Sequence, residues 1–320
     1  MSFPPTLKYG TLRFIKELGQ GAQGMVGEYR DDEEKKSYAV KIDKQQMFTK
    51  GALAEGRFLA NFGKLLTRAP KYVEHLSQDY VYYLVMEKLE ETAEEYIQRK
   101  KREGKFDEAI QDIAQQMLEA IEELHKSKHI HRDIKPSNFM MLKDRLYITD
   151  FGMHQMYTYE GIHITEQTGL GFTGSPYYAS LGSHNGNSLS RRDDLMMLGF
   201  SLLHLIVGDG NFWFKNYKDH NNVQIQQSIY HQKLALLHES SEGIKQTSVY
   251  QFLKQVEKLR FDEEPDYQLF QQFFTNGFSF GYAMHDMASR VVDNIQYQVI
   301  WNLLSTSINE VNDMMDKISK

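Results

Sequence analysis

Up to Glu87 the apolar residues come in short runs broken by glycine or charge. Phe14–Leu18 leads into Gly19-Gln-Gly-Ala-Gln-Gly24, Met25–Tyr29 follows, and the polar turn Asp31–Lys36 precedes Tyr38-Ala-Val-Lys-Ile42. Two β-type runs around a charged turn predict a hairpin. Residues 51–66, with Leu53, Phe58, Leu59, Phe62, Leu65 and Leu66, predict a helix, and Val81–Met86 a further strand. Beyond Glu87 the apolar spacing becomes helical. Phe106–Lys126 has apolar residues at 110, 113, 114, 117, 118, 121 and 124, with Asp107 as the expected N-cap. Ser190–Val207 predicts a second helix, Tyr250–Leu259 and Tyr267–Phe274 a third and fourth, and the apolar positions from Val292 to Met315 a C-terminal helix or helix pair. The pattern is α+β: a small β-rich unit with one helix over 1–87, a large mainly helical unit over 88–287, and a helical extension over 288–320.

Composition narrows the class. The chain has 320 residues, 41% hydrophobic and 25% charged, enough apolar material for a sizeable core. A formal net charge of −6 argues against nucleic acid as the main partner, because backbone binding needs a dense Lys/Arg surface. There is no cysteine, so disulfides and thiolate metal sites are excluded. Lys8, Arg13, Lys16 and Glu17 break up the first twenty residues and leave no apolar signal-peptide core, so an intracellular location, cytoplasmic or nuclear, is expected. The longest nearly apolar stretch, Leu195–Gly208, is interrupted by Ser201 and His204; it is too short to span a bilayer, and no membrane partner is expected. The twelve histidines show no metal-ligand spacing.

Four motifs carry the chemistry of phosphoryl transfer, which needs held phosphates, bridging Mg²⁺ and a carboxylate beside the acceptor hydroxyl. Gly19-x-Gly21-x-x-Gly24-x-Val26 lets backbone N–H groups approach phosphate oxygens, because no Cβ intervenes. A dinucleotide-binding loop would need a helix straight after it, whereas β-like Met25–Tyr29 follows here. Lys41, in Ala39-Val-Lys41, is a candidate for the α/β-phosphates, and Glu55, in the predicted helix, can pair with it. In His131-Arg-Asp-Ile-Lys-Pro-Ser-Asn138, Asp133 can accept a hydroxyl proton, Lys135 can neutralise phosphate charge, and Asn138 can bind a metal; His131 has a packing role. Asp150-Phe-Gly152 follows the strand-like Leu146–Thr149 and supplies the expected Mg²⁺-binding carboxylate.

In this order and spacing the motifs resemble the eukaryotic protein kinase superfamily over roughly residues 12–285. The resemblance implies a two-lobed fold, Mg·ATP as phosphoryl donor and protein substrates; Lys135 fits the serine/threonine pattern. Three segments are similar to casein kinase 1 and the tau tubulin kinases: Thr173-Gly-Ser-Pro-Tyr-Tyr-Ala-Ser180, Ser190-Arg-Arg-Asp-Asp-Leu195 and Leu259-Arg-Phe-Asp-Glu-Glu-Pro-Asp-Tyr267. By that resemblance Asp194 anchors the catalytic-loop backbone. ATP would then be contacted by Leu18, Gly19, Gln20, Gly21, Ala22, Gln23, Gly24, Met25 and Val26 of the glycine loop, and by Ala39 and Lys41. Met86 would be the gatekeeper, Glu87 and Leu89 the hinge, and Met140 the residue beneath the base. Asn138 and Asp150 would hold Mg²⁺. A pseudokinase, a scaffold or binding module keeping the fold, is the rival from another class; its usual mark is a missing Lys, Asp or Asn, and none is missing here. The 288–320 extension is expected to pack on the large lobe or to serve as a partner-binding or autoinhibitory helix.

Two departures matter. Gly56, directly after Glu55, costs a helix interior about 0.5–1 kcal/mol relative to Ala, so that helix is expected to be more mobile or to end differently. Arg132 receives an activation-segment phosphate in many kinases; relatives of this type generally need none, though Thr165, Thr168 and Thr173 lie in the segment. The other departure is Tyr177, where relatives that favour acidic or pre-phosphorylated substrates carry Arg; Lys215 and Lys218 are the only nearby lysines downstream. Tyrosine supplies no charge for a phosphate. Peptides with and without a phosphoserine three residues before the acceptor are therefore expected to be phosphorylated within about threefold of one another, and a gain of about tenfold, worth ~1.4 kcal/mol, would refute the reading of Tyr177.

Overall fold

The computed structural model describes residues 3–8, 11–21, 24–42, 51–79, 81–207 and 222–275. The expected C-terminal helix over 288–320, Ala22 and Gln23 of the glycine loop, and Lys215 and Lys218 lie outside the described residues.

The first strands are β1 (Thr6–Leu7), β2 (Leu12–Gly21), β3 (Gly24–Asp31) and β4 (Lys36–Ile42), followed by helix α1 (Ala52–Phe62), β5 (Tyr72–Gln78) and β6 (Val81–Glu87). They form one antiparallel sheet in the order β1-β2-β3-β4-β6-β5. Side chains alternate across a strand, so β4 serves two layers. Tyr38, Val40 and Ile42 join Leu7, Leu12, Tyr29, Tyr83 and Val85 in a small core on one face. Ala39 turns to the other face, toward the main core shared with Phe58, Leu84 and Met86; by the same alternation Lys41 points there too. The predicted helix over 51–66 is α1 followed by a 3₁₀ turn, Gly63–Leu65. It runs unbroken through Gly56, where a Cβ would come 3.4 Å from Leu84 Cδ1, so α1 lies close against β6.

The large lobe begins with β7 (Glu91–Thr92), α2 (Ala93–Arg102) and α3 (Phe106–Lys126). Helix α2 is absent from the expectations above. Its start is a capping box, in which Thr92 Oγ1 accepts from Glu95 N and Glu95 Oε2 accepts from Thr92 N. Asp107 is not the cap of α3: the N-cap is Lys105, without a side-chain bond, and Asp107 sits in the first turn, where its charge favours the helix dipole. Short strands β8 (His129–Ile130), β9 (Phe139–Leu142), β10 (Arg145–Ile148), β11 (Gln155–Met156), β12 (Thr158–Tyr159) and β13 (Ile162–His163) frame the loops that carry the motifs. Helices α4 (Leu181–His184), α5 (Arg191–Val207), α6 (Val223–Glu239), α7 (Glu242–Lys245), α8 (Ser248–Glu257) and α9 (Tyr267–Thr275) complete the lobe.

Helix α5 is buried along nearly its whole length, so its sequence is apolar all round. Among the described residues no helix is long and apolar enough to cross a membrane. Helix α8 joins α9 through Phe252, whose ring centroid lies 5.2 Å from that of Phe270 and 5.1 Å from that of Phe274. All three rings are almost completely buried. Phe252→Ala is expected to destabilise the protein by about 3–5 kcal/mol, read as a shift in the chemical-denaturation midpoint.

Candidate active site

A cavity of about 610 Å³ opens between the lobes. Its walls include Leu18, Gly19, Gln20, Gly24 and Val26 from the β2–β3 hairpin, Ala39 and Lys41 from β4, Glu55 from α1, and Met86, Glu87 and Leu89 at the end of β6 and just beyond. Asp133, Lys135, Asn138, Met140 and Asp150 close it from below. A strand, not a helix, follows the glycines, which removes the dinucleotide-loop alternative. Gly24 has φ +151°, a backbone conformation that disfavours a side chain. Met25 is the predicted contact that the fold turns away: it is buried in β3 and does not line the cavity, because its neighbour Val26 faces that way. Gly21 pairs with Gly24 at the hairpin tip.

Lys41 is the electrostatic centre. Its Nζ lies 2.7 Å from Glu55 Oε2 and 2.6 Å from Asp150 Oδ1, with the lysine side chain 7% exposed. Burial works against the ammonium, but Glu55 and Asp150 outweigh it and hold the Lys41 pKa above its ordinary value. Burial likewise works against the Asp150 carboxylate, and Lys41 reverses this, leaving its pKa below the usual range. Glu55 Oε1 accepts the backbone N–H of Asp150 at 2.9 Å, so one carboxylate grips both the lysine and the turn. Asp150 sits at φ +66°, ψ +59°, the left-handed region that Asp tolerates better than most residues. Phe151 turns into the core and stacks on Phe58 of α1 at 4.4 Å.

The loop from His131 to Asn138 is held from beneath by Asp194. Asp194 Oδ2 accepts the N–H of His131 at 2.7 Å, and Oδ1 that of Arg132 at 2.8 Å, the geometry the resemblance implies. Arg132 adopts φ +72°, and these bonds help to hold that uncommon conformation. His131 Nδ1 accepts from Asp133 N at 3.3 Å, which leaves Nε2–H to donate to Thr149 O at 2.9 Å. Asp133 Oδ2 accepts from Lys135 Nζ at 2.7 Å, whereas Oδ1 is buried and has no hydrogen-bond partner. Asn138 Nδ2 donates to Asp133 O at 2.8 Å, which directs its carbonyl oxygen away from that bond. Asn138 Oδ1 and Asp150 Oδ2 take no hydrogen bond among the described residues. They are hard oxygen donors, one neutral and one anionic, and so fit Mg²⁺.

Sequence reasoning missed Ser175. Its hydroxyl accepts from Lys135 Nζ at 3.2 Å, and it lines the cavity with Gly174, φ +95°, where a Cβ would come 2.9 Å from Arg132 O. Both lie within the quoted 173–180 segment, but only the folded chain brings that segment against Asp133. Lys233 of α6, fully buried, donates to Pro176 O at 2.9 Å and Ala179 O at 2.6 Å and so fixes the same segment from behind. Tyr177 is half-buried and meets Tyr178 edge-on, with ring centroids 6.5 Å apart.

The protein kinase domain family matches residues 12–270. The chain belongs to the protein kinase family. The kinase is 29% identical over 262 residues to a probable casein kinase I homolog of Encephalitozoon cuniculi, a match covering 79% of this chain and 80% of that protein. With the three segments quoted above, this makes it a divergent, casein kinase 1-like protein kinase.

The ion cluster has a titration consequence. A depressed Asp150 pKa contributes stability that is present above the unfolded value of about 4 and is lost as pH falls through the folded value. In Lys41→Met the carboxyl stays buried without its cation, so its titration midpoint is expected to move upward. The ¹³C shift of the Asp150 carboxyl carbon against pH reads this directly, and an unmoved midpoint would contradict it.

Proposed function

We propose that this chain is a Mg·ATP-dependent serine/threonine kinase of the casein kinase 1 type, transferring the γ-phosphate of ATP to hydroxyls of intracellular proteins. Residues 1–87 and 88–287 act as its two lobes. The observation that carries the reading is Asp133: a buried carboxylate with one oxygen on Lys135 and the other unpaired, at the wall of a cavity that also holds Lys41, Asn138 and Asp150.

Each residue then has a role set by its chemistry. Asp133 Oδ1 has a lone pair that no protein donor uses, so it can take the proton of an acceptor hydroxyl. Lys135 sits beside it as a positive charge for the transferred group, and Ser175 helps to fix its ammonium. Lys41, oriented by Glu55, positions the phosphates. Met86, Glu87, Leu89 and Met140 surround the base. Asn138 and Asp150 would hold Mg²⁺, which supplies positive charge to phosphate oxygens when bound.

Asp133→Asn keeps the side chain's size but removes the base. It is expected to lower phosphorylation of a casein substrate with Mg·ATP by at least about 10²-fold, with the product recovered as phosphoserine or phosphothreonine. Equal transfer by wild type and Asp133→Asn, or none by wild type, would replace this reading with that of a scaffold. Phosphotyrosine as the sole product would overturn the serine/threonine assignment alone.

A further inference from the structure

The segment Leu259–Tyr267 stands out in the sequence, yet none of it lines the cavity. Its backbone is held by the residues that open α5. Ser190 Oγ donates to Phe261 O at 2.6 Å, Arg191 Nη2 to Asp262 O at 2.9 Å, and Arg192 Nη1 to Leu259 O at 3.3 Å. The Arg192 guanidinium also lies over the Phe261 ring, 5.4 Å from its centroid. This docking brings Tyr267, the first residue of α9, to His125 near the end of α3.

From there a chain of hydrogen bonds runs to the catalytic loop. The Tyr267 hydroxyl is 2.6 Å from His125 Nδ1, and His125 Nε2 is 3.0 Å from Asp194 Oδ2. Asp194 in turn holds His131 N and Arg132 N. His125 and Asp194 are buried, at 2% and 0% exposed. Proton positions follow from what each group can do. The Asp194 carboxyl is ionised: burial opposes this, but its bond from His125 and its backbone N–H partners keep its pKa below the ordinary range. It can only accept, so His125 Nε2 carries a hydrogen. Burial pushes the imidazole pKa down and keeps the ring neutral, although Asp194 pulls the other way. A neutral ring with hydrogen on Nε2 has a bare lone pair on Nδ1, and there the Tyr267 O–H must donate. The other groups facing this ring are Arg191 from α5, Glu122 from its own helix, and Tyr157, whose hydroxyl donates to His125 O at 2.7 Å.

We propose that Tyr267 is a positioning residue for phosphoryl transfer: its hydroxyl donates to His125 Nδ1, fixing His125 Nε2–H on Asp194, the carboxylate that holds the catalytic-loop backbone beside Asp133. The segment Leu259–Tyr267 thus braces the loop through His125 and Asp194. Without the hydroxyl, the buried Nδ1 is left unsatisfied or takes up a second proton. Either outcome changes the charge or orientation of the ring against Asp194, and the loop above it relaxes.

The proposal rests on the kinase reading for its activity arm only. Tyr267→Phe removes one oxygen and keeps the ring. It is expected to lower kcat about 5–20-fold while the KM values for Mg·ATP and peptide stay within about twofold, because the groups lining the cavity are untouched. In ¹⁵N spectra of the histidine rings, wild-type His125 is expected to show hydrogen on Nε2 and a hydrogen-bonded, unprotonated Nδ1. In Tyr267→Phe the Nδ1 signal should move to that of a free or protonated nitrogen. His125→Gln provides a second variant, since its amide can donate to Asp194 whatever stands at 267. In that background Tyr267→Phe should lower kcat by less than about twofold. An unchanged kcat in Tyr267→Phe, a wild-type ring with hydrogen on Nδ1 only, or full additivity of the two variants would overturn the proposal. So would a loss in Tyr267→Phe in which both KM values rise with the fall in kcat. If wild type transfers no phosphate, the kinase reading fails, while the ¹⁵N spectra still decide for or against the hydrogen-bond chain.

Discussion

The arrangement of the site depends on a carboxylate that never reaches the cavity. Asp194 lies fully buried in α5 and spends both oxygens on consecutive backbone N–H groups, those of His131 and Arg132. A loop has no ladder of its own to keep it in place, and Arg132 sits at a φ that most residues avoid. The two charge-assisted bonds hold that conformation. With the backbone fixed at 131 and 132, Lys135 holds Asp133 Oδ2, and Asn138 is tied to Asp133 O by its amide and to Thr149 by its backbone carbonyl. Helix α5 can carry such a charge because three donors meet it there, the third being His125.

Much of the site was legible because its chemistry is local in sequence. Asp133, Lys135 and Asn138 fall within one octapeptide, and Gly19 to Val26 within one hairpin. Lys41 and Glu55 could be paired because strand and helix were both readable from apolar spacing. The failures have equally particular causes. Met25 was grouped with the glycine loop by proximity along the chain, but the period of two in β3 sends it to the opposite face from Val26. Asp107 looked like a cap because it precedes an apolar helix, whereas the helix had already begun at Phe106. Helix α2 was overlooked although Thr92 and Glu95 have capping-box spacing, since its remaining residues are mostly charged and give little apolar rhythm. Ser175 and Lys233 were beyond reach, because their partners lie 40 and more than 50 residues away in the chain.

The segments that mark the kinase as casein kinase 1-like are partners of one another. Ser190, Arg191 and Arg192 read the carbonyls of residues 259, 261 and 262, and Ser180 donates to Asp193 Oδ1 at 2.6 Å. Three stretches spread over about a third of the chain therefore meet at the N-terminal end of α5. Asp193 and Asp194 stand side by side there with opposite tendencies. Burial raises the Asp193 pKa to about 6, while the donors around Asp194 keep its pKa low. One carboxylate ties down the end of the 173–180 segment and its neighbour the 131–138 loop, so a single helical turn sets the distance between them.

Helix α1 grips the Asp150–Phe151 turn twice, one helical turn apart. Glu55 holds the backbone of Asp150, and Phe58 stacks on the ring of Phe151. A swing of α1 away from the sheet would carry off the partner of Lys41 and expose the Phe151 ring together. For this kinase, the partner of Lys41 and the seat of the Asp150–Phe151 turn ride on the same helix, so a displacement of α1 acts on both at once.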